Sequence, residues 1–339
     1  MTGSVGRERS SSREDSSVMA PAPWAVDGCL GTLSVPCAWL LLWPRSSTPQ
    51  GVIMDVALAT CAALPGLYGD DRLLLHALEA RGLDAQPMVW EDHYAEWGRA
   101  RLCVIRSVWD YAFRPTEFAA WAERVAAVTP LLNPLSVVRW NIAKSYLLDL
   151  AAHGVPIVPT ALVPRGTTLD LEECVAERGW RDVVLKPVIG CAGRLALQVR
   201  SDAIGMGQAH LDRVLPNEAM LVQPLLSTVA TWGELSVVSI DGQITHAVRK
   251  RAAGADFRVH SDYGGSVDIE PPGPAEREVV ERAVAAVGEP LLYARVDLVH
   301  DESGQPCVME FEVIEPELFF RFSERAVERF TAAIAARLV

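Results

Sequence analysis

Acidic side chains are concentrated in one stretch, residues 293–316, whose other residues are mostly apolar and typical of buried strands. Arg295 and Asp297 stand two residues apart in its first apolar run, and Glu310 and Glu312 do so in its second. Side chains two apart on a strand point to the same face of a sheet. A polar turn containing Asp, Ser and Gly separates the runs, which predicts that they pair as an antiparallel hairpin. This hairpin would bring the three carboxylates together.

Buried carboxylates that lie close together cost several kcal/mol each unless cations neutralise them. A set of candidate ligands made of carboxylates alone is typical of Mg²⁺, which binds a few carboxylates together with substrate phosphates. Asp297, Glu310 and Glu312 are therefore predicted to hold magnesium. The alternative is a surface hairpin whose solvent face carries the charges, because alternation alone is the ordinary pattern of a half-exposed strand.

A second group of candidate residues combines lysines with glycines. Residues 180–199 predict a strand that runs into Lys186, a loop with Gly190 and Gly193, and a further strand. The glycines would let the backbone close over phosphates, to which Lys186 would add positive charge. The order differs from that of a Walker loop, and a plain hairpin is the alternative. Lys144 lies in the first turn of a predicted helix, where a cation is disfavoured unless an anion compensates it, although a surface lysine is the alternative.

The order and spacing of these motifs resemble the ATP-grasp ligases over about residues 140–320. The resemblance implies that the hairpin carboxylates bind two Mg²⁺ ions, with Mn²⁺ as a substitute, and that Arg295 contacts the transferred phosphate. It also implies that Lys144 and Lys186 reach the phosphates of ATP, which the glycine-containing loop covers. Glu312 departs from the Asn that is commoner at its position, and this adds negative charge.

The same resemblance implies further contacts to nucleotide and substrate. The adenine hinge is implied at Gln223, Pro224, Leu225 and Leu226. Glu234 is implied to bond the ribose or to orient a lysine. Arg258, Gly264 and Gly265 correspond to the substrate and phosphate loop of the RimK and glutathione synthetase branch. Lys250 belongs to a basic run that is a further candidate substrate contact, with a solvated basic turn as the alternative. The catalytic residues implied in this way are Arg258, Lys186 and Arg295.

Within that branch, the motifs WDY, GELS, SIDG, THAVRK, DFR and EPELFF look most like the subgroup that contains the O-ureido-serine cyclo-ligase of D-cycloserine biosynthesis. The resemblance implies phosphoryl transfer from ATP to a substrate carboxylate, attack by an amine, and release of ADP and phosphate. The amide would join two small molecules or close a ring within one amino acid derivative. The alternatives are a kinase of the same fold that phosphorylates a hydroxyl group, and a non-catalytic ATP-binding module.

Upstream of these motifs, alternating strands and helices in residues 54–134 predict a small, mostly parallel α/β sheet. The loop after its third strand lies where open α/β sheets place ligand-binding residues. The candidate substrate contacts in this loop are Arg106, Trp109, Asp110 and Tyr111. The alternative is a packed aromatic loop in which Arg106 pairs with Asp110.

The whole chain is therefore predicted to have an α/β (α+β) ATP-grasp fold with a Rossmann-like domain in front of it. Residues 54–134 would form that first domain, residues 135–220 the nucleotide-binding subdomain, and residues 221–339 the subdomain with the metal site and the hairpin. Residues 1–53 lack apolar periodicity at their start, and we expect them to be a disordered and dispensable extension.

The net charge and the cysteine content limit which binding partners and which cellular compartment are expected. A net charge of -12 over 339 residues argues against a nucleic-acid partner. The 7 cysteines are scattered without a CxxC pair, which favours a reducing cytoplasm. The apolar patch at residues 29–43 is too short to span a bilayer and is interrupted by Pro36, so no membrane partner is expected. The sequence leaves the oligomeric state open, with a homodimer as one option.

Overall fold

The computed structural model describes Gly51 and residues 54–191, 193–252 and 265–339. The predicted N-terminal extension, apart from Gly51, lies outside these residues, as do Arg258 and Gly264. In the part of the chain that the structure describes, no helix is long and apolar enough to cross a membrane.

The first sheet has four strands, and all of its pairings are parallel. Its strands are β1 (Met54–Thr60), β2 (Ala85–Val89), β3 (Ala100–Ser107) and β4 (Leu131–Leu132), in the spatial order β2-β1-β3-β4. Helix α1 (Gly69–Ala80) follows β1, and helix α2 (Pro115–Ala126) follows β3. The continuous apolar run of β1 reflects burial of both faces of the sheet, as is usual for parallel strands covered by helices. The parallel α/β sheet predicted from the sequence is confirmed.

Two short helices follow, α3 (Leu135–Asn141) and α4 (Tyr146–Ala152). The expectation that Lys144 lies in the first turn of a helix is wrong, because Lys144 lies in the turn that separates α3 from α4. Its backbone N–H donates to the carbonyl of Val188 at 2.8 Å instead of to a carbonyl of its own helix. This bond ties the turn to the glycine-containing loop that begins just after Val188.

The second sheet is antiparallel and supports the glycine-containing loop. Its strands are β5 (Ala161–Val163), β6 (Val183–Pro187), β7 (Leu197–Val199) and β8 (Met220–Pro224), in the order β5-β8-β6-β7. Helices α5 (Leu171–Glu177) and α6 (Ile204–Val214) pack their apolar side chains against one face of it. The strand β8 crosses the predicted boundary at residue 220, and the three domain limits stay predictions.

The third sheet is antiparallel and carries the acidic hairpin. Its strands are β9 (Glu234–Ile240), β10 (Gln243–Arg251), β11 (Ser266–Ile269), β12 (Tyr293–His300) and β13 (Pro306–Glu312), in the order β11-β10-β9-β12-β13. The remaining helices are α7 (Thr228–Trp232), α8 (Pro274–Ala286) and α9 (Glu324–Arg337). The predicted hairpin is confirmed, since β12 pairs antiparallel with β13 and places Asp297 opposite Glu310 and Arg295 opposite Glu312.

Two buried asparagines fasten the hairpin to the elements before it. The Asn133 amide donates to the carbonyls of Tyr293 and Val313, at 2.8 and 2.9 Å, and its oxygen accepts from the Leu292 N–H. Asn141 donates to the Phe311 carbonyl at 2.7 Å and accepts from the Val313 N–H at 3.0 Å. Backbone groups of the hairpin that lack a neighbouring strand are satisfied in this way, which a buried position requires.

Candidate active site

The guanidinium of Arg295 organises one half of the hairpin's acidic face. Its Nε and Nη2 atoms donate to the two carboxylate oxygens of Asp297, both at 2.9 Å, and Nη2 also donates to Glu312 at 2.6 Å. A fork of this kind suits the planar guanidinium, which presents several donors in fixed directions. The Ser236 hydroxyl on β9 donates a further bond to Asp297, at 2.6 Å.

Two lysines meet at the other carboxylate of the hairpin. Lys144 Nζ lies 2.9 Å from Glu310 Oε2, and Lys186 Nζ lies 3.2 Å from Glu310 Oε1. Lys144 comes from the turn after α3 and Lys186 from the end of β6, so elements distant in sequence converge on one acid. The Lys186 side chain is 9% exposed and that of Glu310 is 23% exposed, so the pair is largely buried but keeps some contact with solvent.

A third ion pair lies deeper, behind Asp297. Lys250 on β10 pairs with Glu234 on β9 and lies 3.5 Å from the Asp297 carboxylate. Of the two roles expected for Glu234, this contact supports the orientation of a lysine. Lys250 is buried and held between two acids. The direct role in substrate binding that the sequence suggested for Lys250 stays a prediction.

These contacts shift the pKa of each carboxylate differently. Burial alone would raise the pKa of Glu310 and Asp297, but the cations beside them hold both values well below the usual range. Burial raises the pKa of Glu312, an effect that Arg295 opposes and that Asp297 and Glu310 reinforce. Burial raises the pKa of Glu234 to about 7 and that of Glu315 to about 8, in the second case with the help of the Glu312 charge.

The pKa of Glu315 predicts a pH dependence of stability. The folded value of about 8 exceeds the ordinary value of 4.5, so folding takes up a proton between these limits. The free energy of unfolding should therefore fall as pH rises from about 4.5 to 8, and this loss should be absent at more acid pH. Glu315→Gln removes the ionising group. We expect the melting temperature of this variant, measured by calorimetry, to exceed that of the wild type at pH 9 and to match it near pH 4.5. An identical difference at both pH values would contradict the raised pKa of Glu315.

The backbone of the glycine-containing loop follows a path that leaves little room for side chains at two positions. Gly193 has φ +70°, in the left-handed region that favours glycine. A Cβ on Gly190 would lie 2.9 Å from Cγ of Pro187. Cys191 Sγ contacts the Trp109 carbonyl at 3.2 Å, which links the loop to the first sheet. Both glycines are therefore required by the backbone path, while their contact with phosphates remains a proposal.

The expected adenine hinge is mostly enclosed. Gln223 is buried and its amide donates to the Thr160 hydroxyl at 2.8 Å, and the Leu225 N–H donates to the Asp182 carbonyl at 2.8 Å. Leu226 is also buried, whereas Pro224 is partly exposed. Gly265 is partly exposed at the edge of the described residues, ahead of β11. Nothing in these positions tests the hinge, which stays a prediction.

The role of Arg106 as a substrate contact stays a prediction, and its contacts described here are all within the protein. Arg106 is 1% exposed, donates to Asp71 at 2.9 Å and to the Pro316 carbonyl at 2.7 Å, and lies over the Tyr293 ring. The Arg106–Asp110 pair of the alternative interpretation is absent from the contacts described, because Asp71 at the start of α1 takes its place. Arg106 is thus a structural link between the first sheet and the segment after the hairpin.

Of the other three residues of this loop, one is buried in the core and two are partly exposed. Tyr111 is buried against Phe118, as the packed-loop alternative predicted. The Trp109 indole is partly exposed and donates to the Glu315 carbonyl at 3.0 Å. Asp110 accepts from the Trp90 indole at 2.8 Å and pairs with Arg114, so its carboxylate is already occupied within the first domain.

Because these contacts occupy the Asp110 carboxylate, Asp110→Ala should affect stability more than substrate binding. Loss of the carboxylate leaves the Trp90 indole N–H and Arg114 without this acceptor, so the melting temperature should fall by several degrees, and the KM for substrate should change less than about threefold. Thermal unfolding and steady-state kinetics of the same preparation measure both quantities. A large rise in substrate KM with an unchanged melting temperature would restore Asp110 as a substrate contact.

The three hairpin carboxylates fit Mg²⁺ by their chemistry, since all three offer hard oxygen donors on adjacent strands. Among the described residues, no three acidic, His or Cys side chains converge closely enough to hold an ion as they stand. The reason is visible in the ion pairs, because Lys144, Lys186 and Arg295 occupy the same oxygens. Lysine and arginine side chains are also suited to bind phosphate oxygens.

Two residues that lie beside the hairpin acids or their surroundings were not assigned from the sequence. Ser236 stands two residues after Glu234 in GELS, and on β9 it lies opposite Asp297, so the same period-2 argument could have found it. Glu315 follows the hairpin within EPELFF, and no periodicity distinguishes its role. Its position beside Trp109 becomes apparent only from the fold.

Comparison with known proteins places this site in a family. Residues 56–133 match the family described as D-cycloserine synthetase DcsG, N-terminal domain. Over 297 residues the chain is 36% identical to the cycloserine biosynthesis protein DcsG of Streptomyces lavendulae, and this alignment covers 84% of the chain and 98% of that protein. The chain belongs to the DcsG family of ATP-grasp ligases. The resemblance to ATP-grasp ligases inferred from the motifs is confirmed.

Solved structures agree with this DcsG-family assignment. The crystal structure of D-cycloserine synthetase DcsG matches with a TM-score of 0.78 and 35% identity, over 84% of this chain and 99% of that one. A RimK domain ATP-grasp protein from Sphaerobacter thermophilus shares the fold, with a TM-score of 0.61 and 20% identity over 84% of this chain and 98% of that one. The DcsG-family chain is an ATP-dependent ligase that forms amide bonds, and its cofactors are ATP and Mg²⁺.

Proposed function

We propose that this ligase activates the carboxylate of an amino acid derivative as an acyl phosphate and then closes a ring by attack of a nitrogen in the same molecule. The observation that carries the proposal is the convergence of Lys144, Lys186 and Arg295 on the hairpin carboxylates. Similarity to a cycloserine biosynthesis protein over 98% of its length supports the cyclising reaction and a role in antibiotic biosynthesis.

Asp297, Glu310 and Glu312 would hold two Mg²⁺ ions, for which Mn²⁺ can substitute. Bound there, the ions would neutralise charge on the phosphates of ATP. Lys144 and Lys186 exchange their contacts with Glu310 for phosphate oxygens. Arg295, held in place by its two hydrogen bonds to Asp297, donates its remaining N–H group to the transferred phosphoryl group. Lys250, which also pairs with Glu234, neutralises Asp297 from the neighbouring strands.

The chemistry proceeds in two steps. In the first step a carboxylate oxygen of the substrate bonds to the γ-phosphorus, and the bond between that phosphorus and ADP breaks. In the second step a nitrogen bonds to the acyl carbon, the bond from that carbon to the phosphate oxygen breaks, and inorganic phosphate leaves while the nitrogen loses a proton. No covalent intermediate with the enzyme is needed, because phosphate already provides the leaving group.

The ring size defines the substrate class. In a serine derivative with an aminooxy group, the carboxyl carbon, the two following carbons, the oxygen and the nitrogen make a five-membered ring when the amide forms. Aminooxy and ureidooxy derivatives of serine are therefore the proposed substrates. Positioning of the nitrogen near the activated carboxyl group within one molecule removes the entropic cost of bringing a second substrate to it.

The proposal is tested by incubating the ligase with ATP, Mg²⁺ and each enantiomer of β-aminooxyalanine or O-ureidoserine. We expect ADP, phosphate and a cyclic product in equal amounts, without an added amine. Product detected only after addition of a separate amine would replace ring closure by intermolecular ligation. ADP formed without phosphate would indicate a kinase reaction instead. Electron paramagnetic resonance of bound Mn²⁺ in the presence of a non-hydrolysable ATP analogue would count the ions.

Substitution of Lys186 by Ala should affect both ATP binding and turnover. The KM for ATP is expected to rise about tenfold and kcat to fall about 10²-fold, because a phosphate contact that strengthens in the transition state contributes to both terms. The matched control is Arg200→Ala, which removes a surface cation of the same subdomain whose side chain is 68% exposed. Steady-state kinetics of both variants provide the measurement, and equal behaviour of the two would remove Lys186 from the nucleotide site.

A further inference from the structure

Glu315 lies where three parts of the chain meet. Its backbone carbonyl accepts from the Trp109 indole at 3.0 Å, and the Trp109 carbonyl in turn contacts Cys191 in the glycine-containing loop. The Trp109 ring packs against Tyr68 with 4.7 Å between centroids. Glu315 therefore lies beside the first sheet, the glycine-containing loop and the hairpin, and its carboxylate interacts electrostatically with Lys144 and Arg295.

The Glu315 side chain differs from its acidic neighbours in its partners. Asp297, Glu310 and Glu312 each contact a cation, whereas the Glu315 carboxylate forms no ion pair with any other side chain in the described ranges 54–191, 193–252 and 265–339. Burial and the neighbouring Glu312 charge raise the pKa of Glu315 to about 8. Glu315 is thus a partly buried acid that no cation of the described residues contacts as an ion pair, although Lys144 and Arg295 act on it from a distance, so a cationic ligand in contact with it would stabilise its ionised form.

We infer that Glu315 binds the α-ammonium group of the substrate and makes this ligase specific for α-amino acids. The inference rests on the proposed function, since it names a residue that selects the proposed substrate. Glu315 acts here as a specificity-determining residue, because the α-amino group stays unchanged in the product while the carboxyl group reacts.

The geometry of an α-amino acid favours Glu315 over Asp110. The α-nitrogen is only two bonds away from the carboxyl carbon, so the residue that binds it must lie close to the groups that bind the reacting carboxylate. Glu315 is close enough to Lys144 and Arg295 for their charges to lower its pKa. Asp110 is held by Trp90 and Arg114 on the first domain. Of these two acids, only Glu315 combines proximity to the reacting centre with an available carboxylate.

The test compares β-aminooxyalanine with 3-aminooxypropionate, which lacks only the α-amino group and can still close the ring. For the wild type we expect kcat/KM to be about 10- to 100-fold higher for the amino compound, the value of a hydrogen bond to a charged group. In Glu315→Gln this preference should shrink to less than about threefold, through a higher KM for β-aminooxyalanine, with the KM for ATP unchanged.

The matched control is Glu317→Gln, which neutralises an acid on the same segment whose carboxylate already binds Arg321. It should retain the wild-type preference for the amino compound. Full preference in Glu315→Gln, with ring closure intact, would overturn the inference and leave the proposed function standing. Failure of the wild type to convert either compound would overturn both. Equal conversion of both compounds by the wild type would retain the cyclising function and overturn recognition of the ammonium group.

Discussion

Glu310→Gln should abolish ligation, with a loss in kcat on the order of 10³-fold or more. The substitution keeps the side-chain volume and removes an acid that contacts both Lys144 and Lys186. It thereby removes a predicted metal ligand and leaves two enclosed ammonium groups facing each other. Rapid-quench measurement of ADP formation with saturating ATP gives the chemical step directly.

The same variant should also be less stable than the wild type when no nucleotide is bound. Without nucleotide its melting temperature should fall below that of the wild type, because breaking a buried ion pair leaves an uncompensated charge. Saturating ATP should reduce this difference, since phosphate oxygens can neutralise the two lysines. Glu281→Gln on the exposed face of α8 is the control and should change neither property. Wild-type turnover in Glu310→Gln would refute the metal assignment.

Arg295→Lys should lower kcat by about 10³-fold although the charge is retained. Lysine cannot reproduce the fork that bonds both oxygens of Asp297 and also reaches Glu312. Arg295→Ala should be worse, because it leaves Glu312 without its cation and Asp297 with Lys250 alone, and it costs about 3 to 5 kcal/mol of stability as well. Single-turnover kinetics together with chemical denaturation separate the catalytic loss from the structural one.

Arg251→Lys is the appropriate comparison for Arg295→Lys. Arg251 lies at the end of β10 on the same sheet, and its side chain is 46% exposed where it pairs with Asp268 and Glu270. Exposed pairs contribute little, so this variant should keep wild-type kcat and stability. If Arg295→Lys also kept full activity, charge alone would suffice, and the geometry of the fork would have no catalytic role.

The sequence predicted the parts of the molecule that depend on local pattern. Alternation and turn composition were sufficient for the β12–β13 hairpin, and the apolar run of β1 was sufficient for the parallel sheet. That the hairpin brings Asp297, Glu310 and Glu312 together followed from the same reasoning, whereas the register that places Asp297 opposite Glu310 came from the structure. Such features are encoded by residues close together in the chain, where periodicity reports directly on burial.

Which side chains bond to each other was less predictable, because these pairs depend on contacts between distant segments of the chain. Arg106 and Asp110 are four residues apart, which suggested a pair, yet Arg106 bonds Asp71 while Asp110 bonds Trp90. Lys144 was assigned to a helix because its neighbours have helical character, but a backbone bond to Val188 interrupts the helix there. In each case a long-range hydrogen bond outweighs a local preference.

The asparagine contacts have a consequence for how the protein opens. Since Asn133 and Asn141 bond the backbone of β12 and β13 from outside the third sheet, the hairpin cannot separate from the first sheet without exposing unpaired amides. Amide hydrogen exchange at Val313 and Leu292 should therefore occur only in the same cooperative event that unfolds the strand β3. The first domain and the catalytic hairpin would then behave as a single foldon, even though the sequence divides them at residue 134.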